Sequence, residues 1–269
     1  MSDLAGSRER TLARAKRYPY AAPARSFVLV GGREYALPEG EGGRLGLDHA
    51  RARDPATGRE LPLRDLGASD LDDDSLAARI PVLAYGANRS PEALERKRAM
   101  PGFPPDSAIL VVRARLHGLD VVYSAHLSPY GSVGATLQRS PGTVADAAVI
   151  LLTQPQLTAL GGTEPNYTLE ELSEVDVELE GGERLARVRS YVSRHGCLAI
   201  AGHQVALAEI AATGRRLEVL TQPEALAAVA VRLGHRGELD EFILENVADQ
   251  DLSAERTREL RCDSRPLAL

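Results

Sequence analysis

The segment Ile80-Pro-Val-Leu-Ala-Tyr-Gly-Ala-Asn-Arg-Ser-Pro-Glu92 constrains the fold of this chain more than any other, because an apolar run of strand length passes through a tight polar loop straight into a helix start. Ile80 to Tyr85 predicts a short buried strand. Gly86 supplies a residue without a Cβ, and Asn88 tolerates left-handed geometry. Ser90 and Pro91 are predicted as N-cap and first helical residue, with Glu92 and Glu95 in the early turns where the helix dipole favours negative charge. Backbone N–H groups in such a loop can face a carboxylate or phosphate. A well-capped connection with no ligand reads equally from these residues alone.

At 269 residues and 43% hydrophobic content the chain can bury a sizeable core. No apolar run approaches a membrane span, and the first residues lack the apolar segment of a signal peptide, so a cytoplasmic protein with no membrane partner is expected. A formal net charge of −6 argues against a dedicated nucleic-acid binder. Lys16 and Lys97 are the only lysines among 32 basic residues, a compositional bias towards arginine. Arg96-Lys97-Arg98 is predicted as the solvated face of the helix after Ser90. Cys197 and Cys262 have no metal-ligand spacing and fit a reducing compartment, and the histidines form no metal set. No nucleophilic serine or cysteine motif, dinucleotide fingerprint or P-loop is present, and no cofactor is expected.

Residues 1 to about 25 predict a short helix and then a mobile arm, followed by a hairpin turning at Gly31-Gly32. Pro38 to Ala78 is glycine-rich and acidic, and Asp70-Leu-Asp-Asp-Asp74 lacks the ligand spacing of a calcium loop, so a solvated linker or an N-cap cluster is expected. Val111–Leu116 and Leu119–Ser124 are predicted as two strands around His117-Gly118. Ser124 to Gly131 is the best place for a substrate-specific loop, in which His126 would lie at the surface or touch a ligand. Further hairpins are expected across Gly181-Gly182 and Ala201-Gly202. Helices follow from Gln222, from Leu239 and from Ser253, either capping the core or forming a homodimer surface. This divides the chain into an arm, hairpin and linker (1–78), a core (79–195) and a C-terminal extension (196–269).

The loop Tyr85-Gly86-Ala87-Asn88-Arg89 resembles the Tyr-Gly-Ser-Asn-Leu signature of the γ-glutamyl cyclotransferase-like superfamily. A second match lies downstream in the expected order: Gly134-Ala-Thr-Leu-Gln-Arg-Ser-Pro-Gly142, an apolar strand Ala147 to Leu152, a helical stretch Gln154 to Leu160, and then Thr163-Glu164-Pro165-Asn166-Tyr167. The resemblance covers roughly residues 80 to 195. It implies an α+β protein whose core is a mixed, barrel-like β-sheet with flanking helices. It also places the family's acid/base glutamate on Glu164 and substrate contacts on Tyr85, Gly86, Ala87, Asn88 and Tyr167.

Members of that family cyclise a γ-glutamyl amide: the α-amine attacks the γ-carbonyl, an amine is expelled and 5-oxoproline remains. Such a step needs the substrate held bent. It also needs one group to take a proton from the ammonium and return one to the leaving nitrogen. The partner implied is therefore a small γ-glutamyl amide, with a non-catalytic module binding a small carboxylate as the alternative. Read from the residues alone, Glu164 is also an exposed glutamate in a turn, Tyr167 also a plain strand start, and Tyr85 a core residue. Ala87 stands where the family has serine and Arg89 where it has an apolar residue. Gly161-Gly162 replace Leu-Asp, and Pro165 replaces glycine.

Overall fold

The computed structural model describes residues 2–38 and 51–265. Helix α1 (Ser2–Lys16) precedes a hairpin of β1 (Phe27–Val30) and β2 (Arg33–Ala36), and a second hairpin pairs β3 (Arg51–Arg53) with β4 (Glu60–Pro62). Helix α2 (Asp73–Ala77) leads to β5 (Ile80–Ala84), a 3-10 turn (Ala87–Arg89) and α3 (Pro91–Arg98). Two long strands follow, β6 (Ile109–Leu127) and β7 (Val133–Leu152), then α4 (Gln154–Gly162), β8 (Tyr167–Leu179) and β9 (Arg184–Ser193). The remaining described elements are β10 (Ala199–Ile200), β11 (His203–Leu207), β12 (Ala212–Thr213), β13 (Glu218–Leu220), α5 (Gln222–Arg232), α6 (Leu239–Ala248) and α7 (Gln250–Arg261).

Strands β7, β5, β9, β8 and β6 are neighbours in that order, and β6 also pairs with β7, which closes a five-stranded ring. The sheet is mixed: β5 runs parallel to β9 and antiparallel to β7. With seven helices among the described residues, this is the α+β, barrel-like architecture that the resemblance implies.

Contacts separate two compact units that do not follow chain order. One holds the described residues of Tyr20–Gly118 together with Asp146–Tyr191. The other holds Leu119–Ala145 and the described residues of Met1–Pro19 and Val192–Leu269.

In the first unit, Phe27, Val82, Leu94, Ile109, Ile150 and Leu160 belong to one buried cluster drawn from strands and helices. Each such side chain contributes about 1.5–3 kcal/mol on leaving water. The Gly31-Gly32 hairpin forms as expected, with φ of 54° and 77° at its two glycines.

The stretch read as a linker contains β3 and β4, and Ala36 pairs with Arg53 to add them to the sheet; its residues 39–50 lie outside the described ones. Its acidic run is only partly solvated. Asp72 caps α2 by accepting from the Ser75 amide at 2.9 Å, which fits the N-cap expectation. Asp70 instead takes the Arg79 Nη2 at 2.8 Å and the Ala108 amide at 2.9 Å. The Arg79 side chain is fully buried, and its Nη1 also donates to the Leu151 and Ala108 carbonyls at 2.9 and 3.1 Å. Burial lowers the arginine's proton affinity, while Asp70 opposes that effect.

Two glycines mark bends inside single strands, one of them between the two strands expected around His117-Gly118. At His117-Gly118 the ladder to β8 continues through the pair His117↔Asp176, and Gly118 takes φ 74° without reversing the chain. Gly142 does the same with φ 86° in β7. A glycine of positive φ serves a bulge as well as a turn, and sequence does not separate the two.

The second unit corrects three further readings. His126 lies inside β6 rather than in a loop and is 1% exposed, its Nδ1 at 2.7 Å from the Ser124 hydroxyl. The segment after α1 is held in place: Tyr18 is buried and its hydroxyl accepts from the Ala135 amide at 3.1 Å. Lys16 also pairs with Asp240 of α6. Helix α7 opens at Gln250, ahead of Ser253, because the Asp249 carboxylate accepts from the Asp251 and Leu252 amides, each at 3.0 Å. Both cysteines are free, Cys197 buried and Cys262 exposed.

Asp70→Ala strands a buried guanidinium and is expected to cost about 3 kcal/mol in urea unfolding. A loss below about 0.5 kcal/mol would contradict the role given to the pair.

Burial, with His195 adding to it, pushes the His126 pKa down from 6.5 to about 3. Below the unfolded value the unfolded chain takes up a proton that the folded chain refuses. The contribution of neutral His126 is therefore complete above 6.5 and declines as pH falls towards 3. NMR titration should find its ring shifts unchanged from about pH 8 to about pH 4, and a midpoint near 6 would contradict this environment.

Candidate active site

The length of α4 decides where Glu164 arrives. Strand β7 runs antiparallel to β5, so that Leu152 lies opposite Ile80 at the start of β5. From there the chain enters α4, whose cap is a reciprocal pair in which Thr153 accepts from the Gln156 amide and Gln156 accepts from the Thr153 amide. Nine helical residues rise about 13 Å. Five strand residues in β5 cover about the same length. Glu164 follows in the turn after α4, where its amide donates to the Gly161 carbonyl at 3.1 Å and its carbonyl accepts from Tyr167 at 3.1 Å.

The carboxylate and the loop after β5 meet directly. Asn88 donates Nδ2–H to Glu164 Oε1 at 2.9 Å. The Lys97 ammonium pairs with the same Oε1 and donates to Asn88 Oδ1 at 2.7 Å. Glu164 Oε2 accepts no hydrogen bond among the described residues. The side chains of Lys97 and Glu164 are 17% and 12% exposed, so the pair is mostly withdrawn from water while still reachable.

Gly86 precedes the 3-10 turn, whose bonds are Arg89 N–H to the Gly86 carbonyl (3.2 Å) and Ser90 N–H to the Ala87 carbonyl (2.9 Å). The amides of Ala87 and Asn88 have no acceptor within that turn, as at any helix start. Asn88 is not left-handed. Ser90 is the N-cap of α3 by backbone geometry and Pro91 its first residue, but the Ser90 side chain makes no capping bond.

Tyr85 is buried and its hydroxyl donates to the Tyr191 carbonyl. Tyr167 packs partly buried against the core cluster. Arg89 donates to the Asp146 carbonyl at 2.9 Å, and burial lowers its proton affinity, so the guanidinium is not simply in solvent.

Sequence reasoning missed two neighbours of Glu164. Lys97 was assigned to a solvated face, and the structure corrects this. Leu94 is buried and Lys97, three residues on, shares its side of α3. Its flanking arginines are engaged too: Arg96 with Glu92 at 2.6 Å and over the Tyr20 ring at 4.4 Å, Arg98 with Glu95 at 3.6 Å. The scarcity of lysine in an arginine-biased chain was the available signal. The second neighbour is Tyr191, whose hydroxyl donates to the Leu157 carbonyl at 3.4 Å. Burial first, and then the charge of Glu164, raise its pKa above the ordinary tyrosine value.

Among the described residues no group of three or more His, Cys, Asp or Glu side chains could hold a metal ion. Nor is any helix there long and apolar enough to cross a membrane.

No protein-family model and no curated protein matches the chain. Among solved structures it is similar to one from Arabidopsis thaliana, at 21% identity over 44% of this chain and 70% of that one, with a TM-score of 0.32. An uncharacterized protein from Homo sapiens is 18% identical over 62% of this chain and 86% of its own, with a TM-score of 0.36. A protein described as a gamma-glutamyl cyclotransferase is 18% identical over 61% and 86%, with a TM-score of 0.33. Likeness at this level assigns no activity to this chain.

The Lys97 ammonium is a point charge serving two acceptors, a geometry that a planar guanidinium does not reproduce. Lys97→Arg should therefore cost more than about 1 kcal/mol in denaturant unfolding, despite keeping the charge. Stability equal to the parent would contradict a specific bridge.

Proposed function

We infer that the chain is an enzyme of the γ-glutamyl cyclotransferase type, converting a γ-glutamyl amide into 5-oxoproline and a free amine. The observation carrying this reading is that Asn88 and Lys97 both engage Oε1 of Glu164 and leave Oε2 open. Clamping one oxygen fixes the carboxylate plane, so that the other is presented in one orientation, as general acid/base work requires. The substrate's α-carboxylate would lie on the free amides of Ala87 and Asn88, near the Lys97 ammonium. Oε2 would take a proton from the α-ammonium as the new N–C bond forms. That proton would go to the departing nitrogen as the old C–N bond breaks, and the second proton that the attacking nitrogen sheds on becoming the lactam N–H would leave with the expelled amine as its ammonium, so the carboxylate ends as it began.

Tyr85 and Arg89 hold the two ends of the loop, since each is tied to a backbone carbonyl. Ala87 presents no hydroxyl, which leaves recognition at that position to backbone N–H groups.

The second reading, a module that binds a small carboxylate without turning it over, is favoured by the Lys97–Glu164 pair itself. An ammonium held on the carboxylate adds positive charge beside the loop and competes with the substrate's own ammonium for that oxygen.

Glu164→Gln keeps the Asn88 contact within reach and removes the proton acceptor. Assayed by mass spectrometry for 5-oxoproline over a panel of γ-glutamyl amides, it should lose at least about a hundredfold in turnover while folding normally. Equal turnover by parent and variant would reject Glu164 as the acid/base. Binding of the panel without turnover by the parent would favour the carboxylate-binding module.

A further inference from the structure

A cavity of about 380 Å³ lies in the second unit, remote in sequence from Glu164 and Asn88, and is lined by Arg194, His195, Arg258, Arg261, Cys262 and Ser264. Arg194 and His195 follow β9, whereas Arg258 and Arg261 stand three residues apart on the last turns of α7, which puts both on one side of the helix. Basic residues at a helix C-terminus are ordinary, because they complement its dipole. Here a third arginine, from a different element, lines the same space.

The two charges on α7 are not cancelled by a described carboxylate. Other arginines in or beside α7 have acid partners: Arg256 with Glu245 at 2.7 Å and Arg232 with Asp263 at 3.1 Å. Among the described residues, Arg258 and Arg261 have no carboxylate within ion-pair distance. The nearby imidazole responds to this excess: burial first, then Arg261 and Arg194, lower the His195 proton affinity below that of an ordinary histidine. His195 therefore adds a neutral hydrogen-bonding ring to a cationic wall.

The backbone segments that carry these side chains are held to each other. The Cys197 amide donates to the Arg265 carbonyl at 2.7 Å, and the Arg265 amide returns a bond to Cys197 at 3.2 Å, so the segment after α7 is tied to the segment after β9. Behind His195, its ring lies 5.0 Å from that of His126, which is itself bonded to Ser124. Its own amide donates to the Ser193 hydroxyl at 3.1 Å.

We propose that this cavity binds a small molecule through a phosphoryl group. Guanidinium groups pair with phosphate oxygens through forked, charge-assisted hydrogen bonds, and the two on α7 without a described acid partner suit a dianion better than a single carboxylate. The volume is at the small end of ligand pockets and exceeds what a bare phosphate fills, so the ligand carries a diphosphate or a compact body besides its anion.

Calorimetric titration of the full chain with inorganic pyrophosphate, with inorganic phosphate and citrate in parallel, tests this. Pyrophosphate should bind saturably at one site with a Kd of about 1 mM or tighter. Arg258→Ala and Arg261→Ala should each weaken it at least about tenfold, with circular dichroism unchanged. Arg187→Ala, on an exposed pair of β9, should leave it unchanged. Pyrophosphate should also slow alkylation of Cys262, the exposed thiol, and not of buried Cys197. Absence of saturable binding, an equal loss in Arg187→Ala, or citrate binding more tightly than pyrophosphate would overturn the proposal. None of these outcomes bears on turnover at Glu164.

Discussion

Strand β5 is paired on both edges, antiparallel to β7 and parallel to β9, and that double constraint sets the position of everything at the candidate site. A strand so enclosed has no freedom to shift register without moving a buried face to the wrong side. Its end therefore fixes the loop from Gly86 to Arg89. Because β7 ends beside the beginning of β5, α4 must travel back along it, and a helix of matching length delivers Glu164 to Asn88. The site thus follows from strand order and one helix length, with three side-chain contacts completing it.

The chemistry at that meeting point turns on an asymmetry between the two oxygens of one carboxylate. An exposed glutamate with a lysine partner is common and worth little. Glu164 differs in sharing Oε1 between an amide and an ammonium that also bond each other, a closed three-residue arrangement mostly withdrawn from solvent. Such closure restricts rotamers and gives the remaining oxygen a defined direction. Tyr191, whose hydroxyl is tied to α4 at the Leu157 carbonyl, lies close enough to feel the carboxylate charge. Pro165 and the two glycines before Glu164 leave this arrangement intact.

The most legible parts of the sequence were those in which local pattern and tertiary role agree. Ile80 to Ala84, the Gly31-Gly32 hairpin and the helix starting at Gln154 could be read from residue order, whereas the meeting of Glu164 with the Asn88 loop was implied only by the resemblance to γ-glutamyl cyclotransferases. What could not be read depended on partners remote in sequence. Gly118 and Gly142 have the composition of turns, and only the ladders on either side of each show that the strand continues. Lys97 has the composition of a helix surface, yet the side it shares with Leu94 is turned inward. Asp70 belongs to an acidic run whose other members are exposed, and only the buried Arg79 removes it from solvent. His126 sits in a segment rich in serine and proline that resembles a loop, and its burial comes from strand pairing and from Thr257, whose hydroxyl accepts from the adjacent Leu127 amide at 3.1 Å.

The central claim is that the Ala87–Asn88 amides and the Glu164 carboxylate form one ligand site. The most direct measurement is an amide chemical-shift map of the Glu164→Gln variant, titrated with a γ-glutamyl amide that it binds without consuming. The account predicts saturable shifts centred on Gly86 to Arg89 and on the turn from Thr163 to Tyr167, at a single concentration midpoint. Saturable shifts confined to other regions, or two midpoints for the two segments, would contradict it.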